Sequence, residues 1–499
     1  MNLASCIQPS KIKPEFCVPF NFRVLGGQVL VISDLGDWLF LSPDEFTAFI
    51  EGRPAADEPL YERLKDKNLI AAEIDKKAVA DRWQRENKPL FHGPSLHTLA
   101  LTSRSNQACR YSGAASVGME ATDTDMTVAI AERAIDLAFQ TTSPTISIAL
   151  RGGEPLANWE VLQHAVEYAR QKNALAGKGL SLSVQSNLAL LDDEKLSYLV
   201  DRRVQISTRL DGPADLHDAL NPWADGSAHA KTTEWIAKIN KAYADLNLDA
   251  DLYRVPVTVT LARPSLGRVP EIVAQLVAVG ARSVRLQRLD TFGLPQDVAA
   301  ELGISMDEFL AAFSEAVELL IEANRKGTRI AERHAGTMLA KLLGESDPSD
   351  LGLRTPGTSC IGQLAYGADG RVFSSEEGRL CDVAGDPMFE IGTVTSSYQS
   401  LVSGGGTRAF VMAGLQDSQP DCVNCVYKPL CGQQVEGNYK TQGSLHGRMR
   451  DSSWCKQHKT LFDGFTQKLR DAGEADRALL RRWAEHQTLE HFMLQREAL

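Results

Sequence analysis

The chain has 499 residues, 43% hydrophobic and 23% charged, with a formal net charge of -11. That length exceeds one ordinary core and implies several domains, and the acidic balance argues against broad nucleic-acid or anionic-membrane binding, since either needs a positive field. No apolar run reaches the roughly 20 residues of a spanning helix, and the start MNLASCIQPSKIKPEF lacks a signal-peptide core, so the cytoplasm is the expected compartment.

From about residue 18 to 90, short β-type runs (PFNFRVL, GQVLVISD, DWLFL) precede helix. Ser42-Pro43-Asp44-Glu45 supplies an N-cap, a proline at the first helical position and a capping-box carboxylate, so a helix EFTAFIEG begins there. A second helical stretch, LYERLKDKNLI, completes a small α+β module spanning residues 1–90. Within residues 91–335, six β-rich runs (LHTLALTS, TISIALRG, LSLSVQSN, VQISTRLDG, VPVTVTLA, SVRLQRLD) alternate with patterns of helical spacing such as WEVLQHAVEYARQKN. Six strands each followed by a helix predict a parallel α/β sheet, whose ligands bind at the C-terminal strand ends. A helix and the connector GESDPSDLGLRTPGTS follow, then a Cys- and Gly-rich region within 336–458 and two helices over 459–499.

The cysteines are Cys6, Cys17, Cys109, Cys360, Cys381, Cys422, Cys425, Cys431 and Cys455. In a reducing compartment such a set is more often metal-binding or catalytic than disulfide-bonded. Cys422, Cys425, Cys431 and Cys455 place four soft thiol ligands within 34 residues, a set that suits zinc or an iron–sulfur cluster; spacing alone leaves the two open.

After the first barrel strand the chain reads Ser105-Asn-Gln-Ala-Cys109-Arg-Tyr111-Ser112, and Arg151-Gly152-Gly153-Glu154-Pro155 ends the second. Gln185-Ser186-Asn187 ends the third, and Ser207-Thr208-Arg209-Leu210-Asp211 the fourth. In this order the segments resemble the radical S-adenosylmethionine (SAM) family, with Ser105-x3-Cys109-x-Tyr111-Ser112 at the place of its Cys-x3-Cys-x-aromatic-Cys signature. The resemblance implies a partial (β/α)6 barrel, with Tyr111, Gly152, Gly153, Glu154, Pro155, Ser186, Asn187, Ser207 and Arg209 around SAM. It makes Ser105, Cys109 and Ser112 the degenerate catalytic-cluster positions. Glu154, with nearby carbonyls, is expected to receive a ligand ammonium, and the two glycines to allow close backbone approach.

The C-terminal cysteines are similar to a SPASM domain, which implies that Cys422, Cys425, Cys431 and Cys455 hold one auxiliary [4Fe–4S] cluster. A second set is incomplete: Cys360 fits, but Ser375 and Val435 stand where cysteines belong. Cys360 and Cys381 are then free core thiols or a partial site. Stretches such as GDWLFLSPDEF, STRLDGPADLH and CGQQVEGNYKTQGSLHGRMRDSSWCKQH resemble the B-type radical SAM maturase of His-Xaa-Ser repeat peptide systems. That implies a ribosomally made precursor peptide, modified after C–H abstraction, and a second radical SAM protein as partner. The N-terminal module looks PqqD-like by fold analogy, a type whose strand edge binds a leader peptide.

In the parent chemistry three thiolates hold a cluster with one iron open to SAM. Serine offers a hard oxygen that is far harder to deprotonate. A single thiolate, Cys109, should not retain that cluster, so the chain is expected to lack radical SAM activity. The serines fit either an experimenter's disabling substitution or a natural pseudoenzyme that scaffolds an active partner; a zinc protein binding a peptide without redox chemistry is a third reading. Asp211, Arg285, Gln287 and Arg288 near the barrel mouth are candidates for ligand contact or plain solvation.

Overall fold

The computed structural model describes residues 12–111, 116–246, 253–344, 353–357 and 359–485. Among them are thirteen strands. The first three, β1 (Phe20–Leu25), β2 (Gln28–Ser33) and β3 (Trp38–Leu41), form an antiparallel sheet in sequence order. The helix Pro43–Ile50 starts at Ser42 with the full capping box. Val29, Val31, Leu41, Phe46 and Phe49 build a core of their own under this sheet. The module is nonetheless tied to the rest of the chain: Trp38 Nε1 donates to the Leu342 carbonyl at 2.7 Å, and Arg23 pairs with Asp463 at 2.8 Å.

The main sheet contains β4 (Leu96–Ala100), β5 (Thr145–Arg151), β6 (Gly179–Gln185), β7 (Val204–Arg209), β8 (Val257–Leu261) and β9 (Ser283–Arg288), parallel and adjacent in that order. These are the six strands expected from the sequence. A two-residue β10 (Ala331–Glu332) extends the sheet beyond β9. At the other edge β11 (Gln363–Tyr366) pairs in parallel with β4, and β12 (Arg371–Phe373) and β13 (Glu390–Thr393) follow antiparallel. The Cys-rich region is therefore hydrogen-bonded into the barrel sheet.

Alternation along these strands sets up the site. Ile146, Ile148 and Leu150 on β5, Leu182 and Val184 on β6, Val204 and Ile206 on β7, Val257 and Val259 on β8, and Val284 and Leu286 on β9 enter the main hydrophobic core. Because successive strand residues point to opposite faces, the other register carries polar groups. Its last members, Arg151, Gln185, Arg209, Thr260 and Gln287, all line one cavity at the C-terminal strand ends. Among the described residues no helix is long and apolar enough to cross a membrane.

Candidate functional site

The cavity has a volume of about 320 Å³, within the range of small-molecule sites. Ser105, Cys109, Tyr111, Gly152, Gly153, Ser186, Asn187 and Arg209 lie on its wall; Glu154, Pro155 and Ser207 stand behind it, and Ser112 lies outside the described residues.

Each wall segment is held by its own bonds. Arg104 braces the loop after β4: its guanidinium engages Asp125 and, through Nη2, the Ala157 carbonyl at 2.7 Å. Gly152 and Gly153 then pass against that loop so closely that an added Cβ would meet the Thr102 carbonyl oxygen at 2.3 Å and the Arg104 carbonyl oxygen at 2.4 Å. Gly153 N–H donates to the Thr102 carbonyl at 2.8 Å and Glu154 N–H to the Arg104 carbonyl at 2.7 Å. The close approach expected of the two glycines is made to the chain's own backbone.

Glu154 is fully buried, and both its oxygens are taken. Oε1 accepts the Leu156 N–H at 3.0 Å and the Ser186 hydroxyl at 2.8 Å, and Oε2 accepts the Asn187 N–H at 2.7 Å. Burial pushes its carboxyl up to about 7, against these bonds. Its contacts shape the Ser186–Asn187 turn, and Asn187 Nδ2 reaches Asn106 at 2.9 Å on the Cys109 loop. Ser207 Oγ donates to the Val184 carbonyl at 3.2 Å, which ties β7 to β6.

At the positions expected to be a degenerate cluster motif, the Ser105 hydroxyl donates to the Gln107 carbonyl at 3.0 Å and accepts the Gln107 N–H at 3.3 Å. Arg209 Nη1 donates to Cys109 Sγ at 3.6 Å, and its guanidinium lies 5.2 Å from the Tyr111 ring centre. The Tyr111 hydroxyl donates to Asp211, which is fully buried and also accepts from Asn221 at 2.9 Å and from the Thr260 N–H at 2.8 Å. Burial, and then Asp211, raise the Tyr111 phenol above its ordinary range. One thiol and one self-bonded serine do not fit a three-thiolate cluster.

Sequence reasoning missed the roof. The helix Glu376–Val383 brings Glu376, Arg379 and Leu380 over the cavity, and the helix Val435–Gln442 brings Lys440. None of Glu376, Arg379, Leu380 and Lys440 belongs to a strand-end motif, and both helices come from the Cys-rich region. Of the barrel-mouth candidates, Gln287 lines the cavity and donates to Thr260 at 3.1 Å, whereas Arg288 donates to the Ile304 carbonyl.

Cys422, Cys425, Cys431 and Cys455 come together from the short helix Pro420–Val423, the turns after it and the start of the helix Ser453–Asp471. Burial, and then the neighbouring thiols, raise Cys422 to about 12 and raise Cys431 and Cys455 also. Gly432 has no room for a side chain: an added Cβ would meet the Arg354 backbone nitrogen at 2.3 Å and its carbonyl oxygen at 2.4 Å. Trp454 Nε1 donates to the Gly432 carbonyl at 2.8 Å and so fixes the Cys431 turn. Four thiols fit a cluster as donors. Among the described residues no three His, Cys, Asp or Glu side chains gather at the spacing of a single metal ion.

The second set does not fit. Cys360 and Cys381 pack with Phe389, Phe410 and Val435 in an apolar cluster, and burial pushes each thiol up to about 12. Beside them the Ser359, Ser374 and Ser375 hydroxyls all donate to one oxygen of buried Glu436.

No protein-family model matches the chain. An uncharacterized protein of Methanocaldococcus jannaschii is 24% identical over 193 residues, 38% of this chain and 61% of that protein. The radical SAM cyclopropyl synthase TigE of Paramaledivibacter caminithermalis is 25% identical over 116 residues, 23% of this chain and 24% of that protein. The chain thus spans less than two thirds of either relative. Among solved structures, native anSMEcpe with bound AdoMet superimposes with a TM-score of 0.61 at 16% identity, covering 75% of this chain and 98% of that one. Streptococcus suis SuiB bound to precursor peptide SuiA gives 0.52 at 12% identity, covering 89% and 99%. These likenesses show the fold: a mixed α/β architecture built on a parallel sheet, shared with structures solved with AdoMet or a precursor peptide bound.

Proposed function

We propose that the chain is a SAM- and peptide-binding member of a radical SAM peptide-modifying system whose own catalytic cluster site is disabled. The observation that carries this reading is the cavity wall itself. The loop after β4, the Gly152–Gly153 crossing and the Ser186–Asn187 turn are locked around an open space, while Ser105 is bonded back onto its own loop. A ribosomally made precursor peptide is the proposed substrate or client, since SuiB, of like fold, is solved with one. The PqqD-like module (residues 1–90) is assigned to peptide recognition, residues 91–335 to the barrel and 336–458 to a SPASM-type domain.

Cys422, Cys425, Cys431 and Cys455 would hold an auxiliary [4Fe–4S] cluster. In support, Cys422, Cys425, Cys431 and Cys455 lie close enough to raise one another's thiols, and four thiolates are the ligand set such a cluster takes. A bound cluster would supply one-electron chemistry. The chain's own contribution is steric and electrostatic: Arg104 and Glu154 hold the wall, and the Arg379–Glu376 roof shields the space from bulk water. The particular system, of His-Xaa-Ser type with a second radical SAM protein supplying the radical, is the finer form of the proposal.

The test is anaerobic reconstitution followed by iron, sulfide and zinc analysis and calorimetric titration with SAM. About four irons per chain together with SAM binding support the reading. Zinc without iron favours a purely structural peptide-binding module, and absence of SAM binding overturns the proposal.

A further inference from the structure

Among the described residues four cationic side chains line the cavity, Arg151, Arg209, Arg379 and Lys440, against two carboxylates, Glu376 and Asp290. This positive surplus sits inside a chain of net charge -11, so it is a local feature of the cavity. Three of the four cations are engaged. Arg379 donates to Glu376 through Nε at 2.9 Å and Nη2 at 2.8 Å, Lys440 pairs with Asp290 at 2.7 Å, and Arg209 holds Cys109 while lying over Tyr111.

Arg151, the last residue of β5, is different. It is exposed within the cavity; its carbonyl accepts the Leu101 N–H at 2.8 Å, but its guanidinium has no hydrogen bond or ion pair with a described residue. Enclosure by the cavity walls lowers the Arg151 guanidinium below its ordinary range; Glu376 and Glu377 on the roof helix act against this, and Arg285 and Arg379 add to it. The Glu376 carboxylate is already held in two bonds by Arg379, and Glu377 lies under the influence of Glu436 and Lys440.

Water solvates an open guanidinium, but a ligand that fills the cavity displaces that water, and leaving the charge unpaired is then unfavourable. A carboxylate matches the planar fork of donors in two parallel bonds. SAM brings one carboxylate together with an ammonium and a sulfonium, so its entry adds positive charge to a cavity already positive. The compensating anion has to come with the second ligand.

Resting on the reading that the cavity admits SAM and a peptide, we infer that Arg151 is a specificity-determining residue that receives the side-chain carboxylate of an Asp or Glu in the peptide segment entering the cavity. The cavity is therefore selective for an acidic peptide over its neutral amide counterpart.

The test uses the full chain saturated with SAM and two probes, N-acetyl-glutamate N-methylamide and N-acetyl-glutamine N-methylamide, compared by saturation-transfer NMR. The natural chain should prefer the glutamate probe by about tenfold, the size of one charge-assisted hydrogen bond. Arg151→Gln should abolish the preference and Arg151→Lys should keep part of it, with thermal unfolding confirming that both variants are folded. SAM affinity should stay within about twofold in both, as Arg151 is not assigned to the cofactor. Equal binding of the two probes by the natural chain, with SAM bound, overturns the inference alone. An Arg151→Gln variant that loses SAM affinity while the probe preference persists overturns it too, because the guanidinium then serves the carboxylate of SAM. Failure of the natural chain to bind SAM overturns the underlying reading instead.

Discussion

Gly153→Ala perturbs the wall at the point where two strand-end segments meet backbone to backbone. The new methyl would stand 2.4 Å from the Arg104 carbonyl oxygen and 2.6 Å from that of Ser103, where an ordinary carbon–oxygen contact is about 3.3 Å or longer. Both obstacles are main chain, so no rotamer change relieves them; the loop must retreat by roughly 0.9 Å to restore that contact. The bonds from Gly153 N–H at 2.8 Å and Glu154 N–H at 2.7 Å would then stretch past hydrogen-bonding distance. Two lost bonds at about 1 kcal/mol each and overpacking of about 1–3 kcal/mol give a destabilisation of about 3–5 kcal/mol. Differential scanning calorimetry should show a Tm about 3–5 °C lower, given an unfolding entropy of about 1 kcal/mol/K for a chain of this length. Titration should show SAM affinity at least tenfold weaker, since the displaced loop carries Ser105 and Cys109. A Tm within about 1 °C of the natural chain and unchanged SAM affinity would refute the assignment of Gly153 to wall assembly.

Three further outcomes follow from other parts of the structure. Gly464 sits in the helix Ser453–Asp471 with nothing near its missing Cβ, so Gly464→Ala should stabilise the chain by about 0.5–1 kcal/mol; a lower Tm would contradict this. Burial holds Glu154 and Glu332 each at about 7, above the ordinary 4.5, so between these pH values the native chain keeps protons that the unfolded chain releases. Stability should therefore fall as pH rises from about 4.5 to 7 and level off above, and Glu154→Gln should flatten part of that slope in denaturation midpoints; an unchanged slope counts against a protonated native Glu154. Cys431→Ala should lower anaerobically bound iron from about four per chain toward zero, whereas Cys381→Ala, in the apolar cluster, should leave it unchanged. Equal iron loss in both would assign Cys381 to a cluster after all.

The barrel strands were legible because apolar, often β-branched residues recur along each and bury one face. The capping box at Ser42 was legible because its bonds are local in sequence. β10 to β13 were not, since none exceeds four residues and β11 gains its place only by pairing with β4, more than 260 residues earlier. The roof follows from that pairing: once β11 lies beside β4, the helix Glu376–Val383 is carried over the strand ends. The strand-end motifs identified the part of the cavity wall carried by the ends of β4 to β7. They did not distinguish side chains that face the space, such as Arg209, from those that support it from behind, such as Glu154, because that division depends on which donors meet the carboxylate in three dimensions. Arg151 was passed over as the residue before two glycines; only the engagement of every other cavity cation singles it out.

The central claim is that the barrel and its pocket are intact and that the thiols at positions 105 and 112 are what the catalytic site lacks. The most direct measurement compares the natural chain with the double substitution Ser105→Cys and Ser112→Cys after anaerobic reconstitution, reading iron content and 5′-deoxyadenosine released from SAM. The account predicts no 5′-deoxyadenosine above a metal-free control for the natural chain. For the double variant it predicts a gain of about four irons with SAM cleavage. Cleavage by the natural chain, or a double variant that gains neither iron nor cleavage, would contradict it.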